Sequence, residues 1–294
     1  MFSSWWVNEL MNANGSGSAI NPTVIPALMS GGIWIPSLGV SSGGGNYTWA
    51  SQATQSNTLT TANSLEKPTL TTASNGVAVW DMDPSVYAQG FTLDAAGSAL
   101  KFASNGSYAF WAKETTDDST LRYMLDMWPG GTTNRLYIYH NNTAGKMSIN
   151  GSPNGAATDV PPERWKANIV GINFAQWNFF RFTFDYTLTN YTVSGGNYSN
   201  RMKVYINETL ITEVNSGGAY HEGYSAPPPP DSSPPSGPVF GTGLYTGAST
   251  YLAIGANYAS SGWKGQWGPT YAAYGNTGLN DSVWRRIMRY QAPR

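Results

Sequence analysis

Hydrophobic and polar positions alternate with a period of two in most long segments of this 294-residue chain. In Arg201–Leu210, Met202, Val204 and Ile206 fall on one side and Arg201, Lys203 and Tyr205 on the other. That period predicts a strand with one wet face. Asn207-Glu208 then reads as a tight turn, because Asn tolerates positive φ, with Leu210-Ile211 opening the return strand. In Phe179–Tyr186, Phe180, Phe182 and Phe184 alternate with Arg181, Thr183 and Asp185. Burying each Phe on a shared face stabilises by about 1.5–3 kcal/mol relative to exposure.

Shorter candidate strands are Ile33–Ile35, Val77–Trp80, Gly90–Leu93, Tyr108–Ala112, Leu121–Met127, Asn134–His140, Lys146–Ile149, Tyr251–Ile254 and Trp263–Trp267. Gly43–Gly45 and the polar stretch Ser51–Ser64 read as loops. So does Ala226–Pro238, whose prolines cannot donate to a strand ladder and could instead offer a polyproline ligand. Helical spacing appears at Asn280–Met288, where Asn280 or Asp281 can cap and Val283, Trp284, Ile287 and Met288 share a stripe. Many short strands with almost no helix predict an all-β fold, a two-sheet antiparallel sandwich or a barrel. No fixed-period repeat points to a propeller or solenoid.

Residues 1–32 read as a separate arm. Phe2, Trp5, Trp6 and Leu10 can share one helical face, and the polar hinge Asn12–Ser18 follows. Such a tip suits docking onto another protein or folding back onto its own domain. Residues 33–294 form the main domain.

Composition narrows the function classes. Charged residues are 11% of the chain against about 25% in a typical globular domain. The surface is therefore built from Asn, Ser, Thr, Gly and Tyr, which suits extracellular or particle-borne proteins and sugar contacts. With a net charge of −1 and no basic stripe, nucleic-acid binding is not expected. Arg285, Arg286 and Arg289 read as the wet face of the helix. There is no cysteine, so neither disulfides nor thiolate chemistry operate. No apolar run approaches a membrane span, and Met1–Trp6 lacks the basic start of a signal peptide. A β-rich chain without an export signal can still reach the exterior as part of a virus particle.

Several segments taken together resemble the laminin-G-like, concanavalin-A-type jelly roll, in the variant found in tailed-phage virion proteins. They are KVYINETL (203–210), KPTL with NGVAVWDMD (67–83), GSYAFWAK (106–113), NRLYIY (134–139), WNFFRFTFD (177–185) and Tyr251–Ile287. The resemblance covers about residues 67–290. It implies a two-sheet jelly roll displayed on a virion as a head decoration, fibre or tail-associated protein. The expected partners are other virion proteins, held through the arm, further copies of the chain, and host-surface glycan. Localisation to the virion follows.

Glycoside hydrolases on this jelly roll place acids at alternate positions of one strand, because only i and i+2 side chains share a face and both must reach the glycosidic bond. No E-x-D-x-E strand occurs here, and no enzymatic activity is expected. Asp81 and Asp83 read as turn caps. No cofactor is expected, although calcium could use the oxygens of Asp81 and Asp83, or of Asp117 and Asp118 beside Glu114. His140 and His221 lack the spacing of a zinc site. Gly39-Val40-Ser41-Ser42-Gly43 spells a nucleophile elbow, but no helix begins after it. Sugar rings stack on aromatic faces, so Trp128, Tyr137, Tyr139 and Tyr205 are the candidate sugar-binding residues. A free lectin and a polysaccharide hydrolase or lyase stand as alternatives.

Overall fold

The computed structural model describes residues 32–43, 46–52, 58–61, 67–83, 89–94, 105–115, 120–128, 136–141, 143–151, 165–185, 190–193, 196–199, 202–211, 251–256, 262–274, 281–289 and 292–294. The expected arm residues Phe2, Trp5, Trp6 and Leu10 lie outside these, as do Asp117, Asp118, His221 and Ala226–Pro238.

Two antiparallel sheets form a sandwich. Sheet A has the order β17 (Thr209–Leu210), β16 (Met202–Ile206), β13 (Asn178–Asp185), β8 (Asn105–Glu114), β19 (Gly265–Tyr274), β6 (Ala78–Met82) and β5 (Thr69–Thr72). Strand β1 (Gly32–Trp34) also pairs with β19, beyond the stretch that β6 occupies. Sheet B has the order β12 (Trp165–Ile169), β11 (Met147–Gly151), β10 (Leu136–His140), β9 (Arg122–Trp128), β18 (Tyr251–Ile254), β7 (Phe91–Asp94), β4 (Thr58–Thr60), β3 (Asn46–Ala50) and β2 (Val40–Gly43). A separate hairpin joins β14 (Asn190–Val193) to β15 (Gly196–Ser199). The helix α1 (Asp281–Arg289) comes last.

The all-β sandwich with a short C-terminal helix is therefore the observed fold. Alternation sends Phe110, Phe180, Phe182, Val204 and Trp267 of sheet A inward against Phe91, Leu125, Ile138, Met147 and Ile254 of sheet B. Aromatic rings fill the space between: Trp49, Trp80 and Phe91 lie 4.9–5.6 Å from one another, and Phe110 stacks on Trp267 at 4.4 Å. Pro269 is tolerated in β19 because the pairing with β8 slips between Trp267 and Thr270, forming a bulge.

Two expectations change, and the rejection of the elbow-like serine stands. Ser51–Ser64 is not wholly loop: Thr58–Thr60 is a strand, and Leu59 is fully buried, its apolar side chain outweighing polar neighbours. The elbow-like Ser41 sits on β2, paired with Thr48 of β3, so a hairpin stands where a helix would be needed. The larger change concerns the wet face of sheet A, which is covered. Ile33, Ile35, Ala109, Trp111, Phe179, Tyr271 and Ala273 form a second core there with Trp284 and Ile287 of α1.

Candidate functional site

On sheet B the face opposite the core carries mostly polar positions, exposed at Ser41 and buried at Asp126, Ala253 and Ser148. Its cross-strand register runs Ser41, Thr48, Thr60, Thr92, Ala253, Asp126, Tyr137, Asn150 and Lys166, one residue from each strand. Hydroxyls link part of this row: Ser41 Oγ lies 2.5 Å from Thr48 Oγ1, and Thr60 Oγ1 donates to the Thr92 carbonyl at 3.4 Å. The next row on the same face carries Tyr123, Tyr139, Ser148 and Asn168.

The bulge in β9 creates the aromatic part of this face. Ile138 pairs with Leu125 but Tyr139 pairs with Tyr123, so Met124 is the extra residue. That slip keeps Met124 and Leu125 both in the core and turns Tyr123 to the polar side. Tyr137 and Tyr139 stack at 5.5 Å and 25°, and Tyr123 lies 5.8 and 5.6 Å from them. Tyr137 and Tyr123 are half-buried, while Tyr139 is buried at 9% exposure. Asp126, opposite Tyr137, is 1% exposed. The sequence-predicted pair Tyr137 and Tyr139 is thus brought together. Tyr123 and Asp126 were missed, because the bulge that places Tyr123 is a pairing event with no local signature.

Trp128 ends β9 in register with Tyr251, two residues beyond Asp126. Tyr205 lies elsewhere, on the covered face of sheet A, and is 7% exposed. It offers no open ring for a sugar, because the Arg181 guanidinium sits 3.5 Å over it. Arg181 is itself 2% exposed. It donates from Nε and Nη2 to the two Glu208 carboxylate oxygens at 2.9 and 2.8 Å, and from Nη2 to Asp281 Oδ1 at 3.0 Å. Burial raises the Tyr205 phenol above its ordinary value; the charges of Asp281 and Glu208 push the same way, and the Arg181 guanidinium opposes them.

The same ion pair explains an unusual turn. Asn207 and Glu208 both have positive φ, 53° and 61°, as a two-residue hairpin requires. Glu in that conformation costs about 1–2 kcal/mol. Its carboxylate is captured by Arg181, and Asn207 Oδ1 accepts from Phe179 N at 2.9 Å.

The remaining acids do not converge on this face. Asp81 lies within β6, paired with Thr69 and Gln266, rather than in a turn. Asp81 and Asp83 are both exposed. Glu114, 1% exposed, points between the sheets and accepts from His140 Nδ1 at 2.9 Å, with Arg122 Nε at 3.7 Å. Among the described residues no three His, Cys, Asp or Glu side chains group to hold a metal ion. No described helix is long and apolar enough to cross a membrane.

No protein-family model matches the chain, and no curated protein matches it. Solved structures do. The carbohydrate-binding module of the Ruminococcus gnavus IT-sialidase, bound to α2,3-sialyllactose, is 11% identical and has a TM-score of 0.40, covering 66% of this chain and 90% of its own. Domain 4 of the Geobacillus stearothermophilus arabinanase AbnA, in complex with arabinotriose, is 15% identical at a TM-score of 0.43, with 75% and 80% covered. The binding domain of botulinum neurotoxin serotype D is 10% identical at a TM-score of 0.47, with 83% and 48% covered. At such identities and scores these likenesses say nothing of what this chain binds.

Proposed function

We propose that this chain is a non-enzymatic recognition protein whose sheet B face contacts glycan, carried on the particle of a tailed phage. The observation that carries the glycan reading is the tyrosine cluster Tyr123, Tyr137 and Tyr139, set on the polar face of the sandwich rather than in its core. Stacked rings offer apolar faces to a pyranose, and the hydroxyl row Ser41, Thr48, Thr60 and Thr92 on the same face suits sugar hydroxyls. Low charge throughout the chain favours a neutral or weakly charged ligand over one held by Coulomb attraction. The particle reading rests on the jelly-roll resemblance of residues 67–290 and on the apolar arm of residues 1–32, which would dock the chain on its neighbours.

Two experiments test the two halves separately. A glycan array with the purified protein should give discrete hits, and Tyr137→Ala should weaken them about tenfold, or about 1.4 kcal/mol. An array without hits ends the glycan reading. Antibody against the chain should decorate purified phage particles in negative stain; binding to glycan without particle labelling would favour the free lectin.

A further inference from the structure

On the opposite side of the sandwich, at the C-terminal end of α1, lies a cavity of about 400 Å³. That volume falls within the range of small-molecule sites, roughly 300–1,000 Å³. Trp111 and Trp177 line it together with Met288, Arg289, Pro293 and Arg294. No Asp or Glu side chain is among the described residues of this lining.

The walls are fixed by contacts distant in sequence. The Ser74-Asn75 turn holds the C-terminal segment: Asn75 Nδ2 donates to the Ala292 carbonyl at 2.8 Å, Arg294 N to Asn75 Oδ1 at 3.2 Å, and Ser74 N to the Arg294 carbonyl at 3.0 Å. Behind Trp111 is the β19 bulge, where a Cβ on Gly268 would come within 2.9 Å of the Trp111 Cβ. Only glycine lets the bulge lie this close.

Two features of the lining ask for a ligand. The Trp111 indole N–H is buried without an acceptor among the described residues, as are those of Trp80 and Trp284, and of these three only Trp111 lines the cavity. Arg289 and Arg294 are exposed and form no ion pair among the described residues, unlike Arg181 with its two carboxylates. A guanidinium matches a carboxylate in planar, two-pronged geometry, and indole walls favour a ring over a compact, strongly hydrated ion such as phosphate.

We propose that this cavity binds a small cyclic carboxylate, its ring against the indoles of Trp111 and Trp177, its carboxylate on Arg289 and Arg294, and a ligand oxygen accepting from Trp111 Nε1. The site is separate from the sheet B face and does not depend on glycan binding there. A uronic acid and an aromatic acid share this chemistry, and the test distinguishes them.

The whole protein, labelled with 15N, is titrated with galacturonate, benzoate and neutral galactose while the indole N–H signals of its twelve tryptophans are followed. Trp111→Phe assigns the relevant signal, and calorimetry of the same titrations gives the affinity whether or not that variant folds. Saturable movement of the Trp111 signal with galacturonate identifies a sugar acid; the same with benzoate alone identifies an aromatic one. Arg289→Ala/Arg294→Ala should lose at least tenfold in affinity with melting temperature unchanged, and Tyr137→Ala should bind as the parent does. Absence of saturable binding by either carboxylate overturns the proposal. So does an equal response to galactose, or full affinity in the double arginine variant.

Discussion

The two sheets use the same alternation to opposite ends. Sheet B packs one face into the core and carries Tyr123, Tyr137 and Tyr139 on the other among Ser, Thr, Asn and Asp positions, a polar face that is exposed at Ser41 and buried at Asp126 and Ser148. The centre of sheet A buries both: Phe180 and Phe182 face the sandwich core, while Phe179 and Arg181 lie on the α1 side with Trp284. In strand β13 the positions between the inward Phe residues are thus a second interior, one that admits a charge because Glu208 and Asp281 come to meet it. A polar residue at every second position marks a change of face; whether that face meets water depends on what else packs there.

Arg181→Ala tests this difference most severely. It leaves the Glu208 carboxylate buried without its cation and should cost about 3–5 kcal/mol in chemical denaturation. A loss below about 1 kcal/mol would mean the outer face of sheet A behaves as surface after all.

Glu208→Gly divides the same cluster differently. It relieves positive φ at a cost-free residue, regaining about 1 kcal/mol, but breaks the buried pair while Arg181 keeps Asp281. The expected net loss is about 2–4 kcal/mol, read as a shift in denaturation midpoint. Should this variant prove more stable than the parent, backbone strain outweighs the ion pair.

On sheet B, Tyr137→Ala removes one stacked partner from a half-buried position and should cost about 1 kcal/mol of stability, with its main effect on glycan binding. Equal losses of stability from Tyr137→Ala and Arg181→Ala would erase the distinction between the sheets.

The smallest effect is confined to alkaline pH. The phenol of Tyr205 is held neutral above its ordinary value of 10.0, mainly by burial. Its stabilising contribution is complete below that ordinary value and is lost as pH rises through the higher folded one. Melting temperature should therefore fall faster with pH above 10 in the parent than in Tyr205→Phe. Parallel curves would show that Tyr205 is not buried as it stands here.

Much of the fold is legible in residue order. The strands at Phe179–Tyr186 and Arg201–Leu210, and the stripe Trp284 and Ile287 on α1, follow from local periodicity. β4 at Thr58–Thr60 is not legible, because a three-residue strand in a Thr/Asn/Ser-rich stretch is too short to show a period. In the candidate site, Tyr137 and Tyr139 are found by their alternation with Ile138, and Tyr123 joins them through the bulge at Met124. Tyr205 shares the same alternating pattern and is buried instead.

The chain by itself determined the strands, the aromatic character of the core and the low-charge surface, since period and composition are properties of neighbouring residues. Only the tertiary structure decided which side of each sheet met water, which tyrosines came together, and why Glu could stand in a turn made for glycine. Those outcomes depend on α1 docking over β13 and on β9 slipping by one residue against β10. Contacts between residues 181 and 281 are set by packing across the whole fold, and nothing in either local stretch records them.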